Sequence, residues 1–220
     1  MLGNDVVDLH DPDSDAATLS ARFDARVFTE GERLAIDSHA DPAAHRWRHW
    51  GAKEAAYKAL RRRRPSVPFS PIRFEVDLRG GDPWQGRACY RPEPGTAGSD
   101  SPAFRLSLLG GDGGALHVIA ISEAHFDAPV VHDFCRVSDV DGSRDAEAPS
   151  RAVRKLACEK LAGHLGAEVR DLEVRKRGRL PELWLGGTPA RVLLSLSHHG
   201  DWVGFACALA DASPDSGSTA

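Results

Sequence analysis

The chain has 220 residues, 41% of them apolar, and its 28 basic and 32 acidic side chains leave a net charge of −4 and a pI near 6.2. That length and apolar content allow one large domain or two small ones around a packed core. The mild acidity argues against a protein whose main work is to hold nucleic acid by bulk electrostatics. No run of about 18 apolar residues is present to cross a membrane, and the opening MLGNDVVDLHDPDSD lacks the basic and apolar regions of a signal peptide. A soluble, cytoplasmic protein is expected. Cys89, Cys135, Cys158 and Cys207 are far apart and form no C-x-x-C pair, so they read as buried thiols rather than a zinc site or a disulfide framework.

In chain order, a short strand is predicted over 4–9, then an acidic loop and a helical region over about 20–37. A longer helix follows over about 42–63, stopped by Pro65. Residues 72–78 alternate apolar and polar, as a half-buried strand does. Gly-, Pro- and Asp-rich turns at 80–83 and 92–102 separate further strands near 86–90, 104–109 and 116–122. The second half repeats this grammar: a strand over 130–137, a helix over about 150–165 with Gly166 as its C-cap, then strands over 169–175, 183–185, 191–196 and 202–209. Helix followed by antiparallel sheet, stated twice, predicts an α+β fold. Two similar subdomains are expected, over 1–127 and 128–210, each a long helix packed on a small antiparallel sheet. Residues 211–220, rich in Ser, Asp and Gly, are expected to form a disordered tail.

Four stretches stand out: GNDVVDL at 3–9, FTEGER at 28–33, WGAKEAAYKAL at 50–60 and SLSHHGDWVGFACAL at 195–209. On a helix, Glu54 and Lys58 lie one turn apart on the same face. Taken alone they read as a surface ion pair worth a few tenths of a kcal/mol. Asp5 alone reads as a turn or cap residue, and Ser197-His198 as a polar strand end. Arg61 to Arg64 complement the negative end of the helix dipole, and with Arg22 and Arg26 they could equally steer an acidic partner or clamp an anionic ligand. Two patterns mimic metal sites. Asp11, Asp13 and Asp15 open like an EF-hand loop, but Ala16 and Arg22 stand where glycine and glutamate are required. His45 and His49 have helical spacing, yet no glutamate follows His45.

Together the four stretches resemble the 4'-phosphopantetheinyl transferases, through Gly-x-Asp, Phe-Thr-x-x-Glu, Trp-x-x-Lys-Glu-Ala-x-x-Lys and Ser-x-Ser-His in that order. The size resembles the two-subdomain, surfactin-synthetase type. The motif order resembles the smaller holo-acyl-carrier-protein synthases. The resemblance implies transfer of the phosphopantetheine arm of coenzyme A to a serine of an acyl or peptidyl carrier protein, releasing 3',5'-ADP. It implies Mg2+ held by Asp5 and Glu54, and Lys58 neutralising phosphate oxygens. Ser197 and His198 would hold coenzyme A phosphates, with Arg179, in RGRLP, facing the 3'-phosphate. The surfactin type has a third acidic ligand two residues after the aspartate; here that position is Val7. Asp8 does not replace it, because in a strand it points to the opposite face from Asp5. Lys53 points about 100° around the helix from Glu54. Glu54 could take the serine proton directly or by way of a water on the metal, and the sequence leaves both routes open. An internal pseudo-dimer needs no self-association to build one site, so a monomer is expected. The competing reading is a non-catalytic module that binds coenzyme A or a carrier through the same fold.

Overall fold

The structure, a computed structural model, describes residues 1–15, 21–81, 83–93, 100–111, 114–123, 128–143 and 145–209. The expected subdomain boundary at 127 and the expected tail at 211–220 lie outside the described residues. The elements run β1 (Leu2–Asp8), α1 (Ala21–Val27), α2 (Glu30–Asp37), α3 (Pro42–Arg61), β2 (Phe74–Arg79), β3 (Trp84–Tyr90), β4 (Ala103–Gly111) and β5 (Ala115–Ser122). The second half has β6 (Val130–Arg136), α4 (Ala148–Leu165), β7 (Leu172–Arg177), β8 (Leu180–Leu185), β9 (Thr188–Pro189), β10 (Val192–His199) and β11 (Trp202–Leu209). No helix among the described residues is long and apolar enough to cross a membrane.

The fold is α+β. The first half is a five-stranded antiparallel sheet of order β1-β5-β4-β3-β2 with α3 across it; the second half sets α4 against two three-stranded sheets, β10-β11-β6 and β7-β8-β9. Small residues let α3 lie close on its sheet: Ala52, Ala55, Ala56 and Ala59 are fully buried and pack with Phe74, Phe104, Leu106 and Val118. Around α4 a second core gathers Leu156, Leu161, Leu183, Leu194 and Phe205. Between the halves, Leu2, Ile119 and Ile121 of the first sheet meet Ala206 and Ala208 of β11. β1 is therefore the strand on which the two halves meet.

Several expectations need correction. The helical region over 20–37 is two helices, because Thr29 starts a new one with a capping box: its hydroxyl accepts from the Glu32 amide and the Glu32 carboxylate accepts from the Thr29 amide. The strand expected over 169–175 opens with a 3-10 turn at Val169–Asp171, and the short strand over 183–185 is the longer β8, which pairs with β7 through a turn at Gly178 (φ +63°). β10 runs on to His199, past the expected end at 196, so Ser197 and His198 lie among the last three residues of the strand. Of the four free cysteines only Cys158 and Cys207 are buried; Cys89 and Cys135 are half-buried.

Lys53 is fully buried. Its ammonium lies 2.8 Å from the Glu32 carboxylate and also donates to the carbonyls of Pro71 and Phe74. Glu32 in turn accepts from the Val76 amide at 2.7 Å, so one ion pair ties α2, α3 and β2 together. Burial pulls the Lys53 pKa down and the Glu32 charge opposes that fall. Removing one partner strands the other charge in the core, at a cost of about 3–5 kcal/mol. Lys53→Met is expected to lower the urea midpoint accordingly, and Glu32→Gln on the Lys53→Met background to recover part of the loss. Additive losses would show that the pair does not act as a unit.

Candidate active site

Asp5 leaves the middle of β1, and Glu54 and Lys58 leave successive turns of α3, which crosses above that strand. The Lys58 ammonium lies 2.7 Å from Asp5 Oδ1 and 3.9 Å from Glu54 Oε2. The i,i+4 pair is therefore not a surface ion pair: it borders a cleft of about 370 Å³ walled by Phe23, Trp47 and Trp50 on one side and by His198 and His199 of β10 on the other. Asp13, from the turn after β1, also reaches this cleft. Gly51 lets α3 lie close on the sheet beside the carboxylate, since a Cβ there would stand 3.0 Å from Val118 Cγ2, 3.4 Å from Val7 Cγ2 and 3.7 Å from Asp5 Oδ2. Val7 thus shares the Asp5 face, as the alternation requires. Asp8 points away and accepts from the amides of His10 and Asp201.

Two carboxylates share this partly buried site with one ammonium. Burial first, and then the Asp5 charge, push the Glu54 pKa up to about 7, against the pull of Lys58. Burial alone would lower the Lys58 pKa; Asp5 and Glu54 overcome it and raise it, so Lys58 stays cationic. The His198 imidazole is lowered by burial and by Lys58. Both effects disfavour the imidazolium in the empty cleft.

The residues fit a hard divalent cation. Among the described residues no group of three or more His, Cys, Asp or Glu could hold a metal ion. Two carboxylates crowded enough to raise one pKa are what Mg2+ takes from a protein when its other positions go to water and phosphate. The decoys also resolve: Asp11 caps a turn by accepting from the Asp13 amide, and His45 and His49 are buried in the first half, away from the cleft.

A second cavity, of about 180 Å³, opens on the far side of His198, lined by Arg154, Arg175, Lys176 and Arg179. Arg179 and His198 line this same cavity. Arg154 joins from α4, and no local pattern pointed to it. Ser197 does not line either cavity. It is buried and accepts from Asn4 Nδ2 at 3.0 Å. It faces β1 together with Ser195, while the neighbouring His198 points to the other side of the strand. The S-x-S-x-H spacing carried that signal. Asn4, in the middle of the Gly-x-Asp stretch, was also missed.

The arginine cluster after α3 is largely taken up by structure. Arg61 lies over the Tyr57 ring, Arg62 donates to the Leu2 carbonyl at 2.9 Å and Arg64 pairs with Asp100. Arg22 and Arg26 of α1 are exposed instead, rimming an apolar groove of about 630 Å³ floored by Phe23, Trp50 and Phe69 that adjoins the carboxylate cleft.

Residues 1–98 match the 4'-phosphopantetheinyl transferase superfamily. The chain is 35% identical over 110 residues to a holo-[acyl-carrier-protein] synthase of Phenylobacterium zucineum (strain HLK1), a match spanning 49% of this chain and 80% of that protein. Among solved structures, holo-[acyl-carrier-protein] synthase of Thermotoga maritima aligns over 86% of this chain and 83% of its own with a TM-score of 0.39 and 14% identity. With four-fifths of the Phenylobacterium relative covered at that identity, the chain belongs to the 4'-phosphopantetheinyl transferase superfamily.

Proposed function

We propose that this protein transfers the phosphopantetheine arm of coenzyme A to a serine of an acyl or peptidyl carrier protein. The observation that carries the reading is the convergence of Asp5, Glu54 and Lys58 in one cleft that His198 joins to an arginine-rich cavity. In the reaction the serine oxygen forms a bond to the phosphorus bearing the pantetheine arm, the bond to the other phosphate breaks, and 3',5'-ADP leaves. A Mg2+ ion bound by Asp5 and Glu54 would supply charge neutralisation to the pyrophosphate. Glu54 is the carboxylate placed to accept the serine proton, directly or by way of a water; its pKa of about 7 belongs to the metal-free cleft, and a bound cation would lower it. Lys58, held cationic, neutralises charge on the phosphate oxygens as the leaving group departs.

The cavity with Arg154, Arg175, Lys176 and Arg179 suits the 3'-phosphate. The groove rimmed by Arg22 and Arg26 suits an acidic carrier that lays an apolar contact on Phe23 and Trp50. Incubation with coenzyme A, Mg2+ and several apo carriers, followed by mass spectrometry, tests the reading. A carrier gaining one phosphopantetheine supports it; coenzyme A binding without any transfer would favour the non-catalytic module.

Arg179→Ala is expected to weaken coenzyme A about tenfold, the worth of one charge-assisted contact, and to leave dephospho-coenzyme A nearly unchanged. His198→Ala, between the two cavities, is expected to weaken both ligands. Calorimetric titration of both ligands against each variant decides this. Equal losses for Arg179→Ala would remove the 3'-phosphate from that cavity.

A further inference from the structure

β1 carries Asp5 into the cleft from the first half, and β10 carries His198 into it from the second. β10 hydrogen-bonds to β11 and not to β1, so no backbone ladder sets the two cleft walls against each other. Side chains do that instead. The Asn4 amide donates to Ser195 Oγ at 3.0 Å, and Asn4 Nδ2 lies 3.0 Å from Ser197 Oγ and 3.1 Å from the Gly204 carbonyl of β11. Four residues along β1, the Asp8 amide donates to His199 Nδ1 at 3.0 Å. Asn4 is fully buried, and Ser195 and Ser197 are at most 5% exposed, so water does not compete for these bonds.

We propose that Asn4 is a positioning residue: with the hydroxyls of Ser195 and Ser197 as its partners, it registers the strand bearing Asp5 against the strand bearing His198 and so fixes the two walls of the cleft. Asn4 immediately precedes Asp5, and Ser197 immediately precedes His198. In a strand, neighbouring side chains point to opposite faces, so each pair places one residue in the seam and one in the cleft. A slip of the seam moves the cleft by the same amount. A displacement on the order of 1 Å from a remote change can cost about 100-fold in rate. The same placement gives the two serines of the Ser-x-Ser-His stretch a common task that does not require either to touch a phosphate. The kinetic part of the test rests on the proposed transfer reaction; the structural part does not.

The experiment compares Asn4→Ala, Ser197→Ala and the double variant with wild type, at a temperature well below the unfolding of each. Heteronuclear NMR follows the Asp5 backbone amide and the His198 ring, with the Trp184 indole in β8 as a remote reference. Turnover is expressed per coenzyme A-binding site, so that an unfolded fraction is not counted. The Asp5 and His198 signals are expected to move in each single variant and little further in the double one, while Trp184 stays in place. Turnover should fall about 10- to 100-fold, with the losses of the two single variants not multiplying in the double. Folded variants that melt earlier but keep wild-type Asp5 and His198 signals would overturn the proposal and leave Asn4 a purely structural bolt. Weakened coenzyme A binding in Ser197→Ala but not in Asn4→Ala would overturn it differently, by showing that Ser197 touches the ligand. If wild type neither binds coenzyme A nor modifies a carrier, the transfer reading fails, and the NMR comparison still decides the role of Asn4.

Discussion

Asp5→Asn and Glu54→Gln are each expected to reduce phosphopantetheine transfer by about 1,000-fold or more, the effect of some 4 kcal/mol at the transition state. Neither change should unfold the protein. Glu54 is held at about 7 in the folded chain by burial and by Asp5, above the ordinary carboxylate range, so the folded state binds more protons than the unfolded one between about pH 4.5 and 7. Stability therefore falls as pH rises through that window, by up to roughly 3 kcal/mol from this group. Glu54→Gln should remove that slope, and at pH 8 it should be as stable as wild type or more so. Mg2+ supplies the missing counter-charge, so it should raise the wild-type melting temperature at pH 8 and leave Asp5→Asn and Glu54→Gln unmoved. Turnover measured beside melting curves with and without Mg2+ separates the two effects. Near-wild-type turnover in either variant would remove the carboxylate pair from the reaction, and an Mg2+ shift that survives in both would place the ion elsewhere.

Much of this architecture was legible because local chemistry and tertiary structure agree. The alternation over 72–78 became β2 from Phe74 onward, after a 3-10 turn at Pro71–Arg73, the run that Pro65 limits became α3, and Gly166 ends α4 in the left-handed conformation at φ +61°. The break between α1 and α2 was also written in the chain, as Thr29-x-x-Glu32. It was obscured because Glu32 serves both the cap and the buried Lys53. That pairing joins residues 21 apart in sequence, and no periodicity announces it.

The site divides in the same way. Asp5, Glu54 and Lys58 gather in one cleft, and two of them already shared a helix face. Ser197 was harder to read, because Ser-His looks like a pair of donors until strand alternation puts one residue in the seam and the other in the cleft. Arg154 of α4 and Asp13 of the turn after β1 reach the cavities from elements whose docking the sequence does not encode locally. The lowering of the His198 pKa comes from burial and from Lys58, which lies 140 residues earlier in the chain.

Gly3→Ala is expected to be strongly destabilising, at more than about 4 kcal/mol. Gly3 stands where β1 passes beneath α3. A Cβ there would fall far inside van der Waals contact with the Ala55 carbonyl oxygen and 2.5 Å from the Ala59 amide nitrogen. Both are helix backbone, so no side chain can rotate away; the helix itself must lift off the sheet, opening the core around Ala55, Ala56 and Ala59. Lifting α3 also carries Glu54 and Lys58 away from Asp5, so the first position of Gly-x-Asp protects the site by protecting the crossing. Trimming the facing alanines should not help, because the clash is with atoms that Ala55→Gly and Ala59→Gly retain. The control is Gly31→Ala in α2, where an added Cβ meets nothing within 4 Å; it should stabilise by up to about 1 kcal/mol through helix propensity. Urea unfolding of both variants, and of Gly3→Ala combined with each trimmed alanine, supplies the comparison. A Gly3→Ala protein that unfolds at the wild-type midpoint, or one rescued by Ala55→Gly, would show that the strand and helix have more room than their crossing implies.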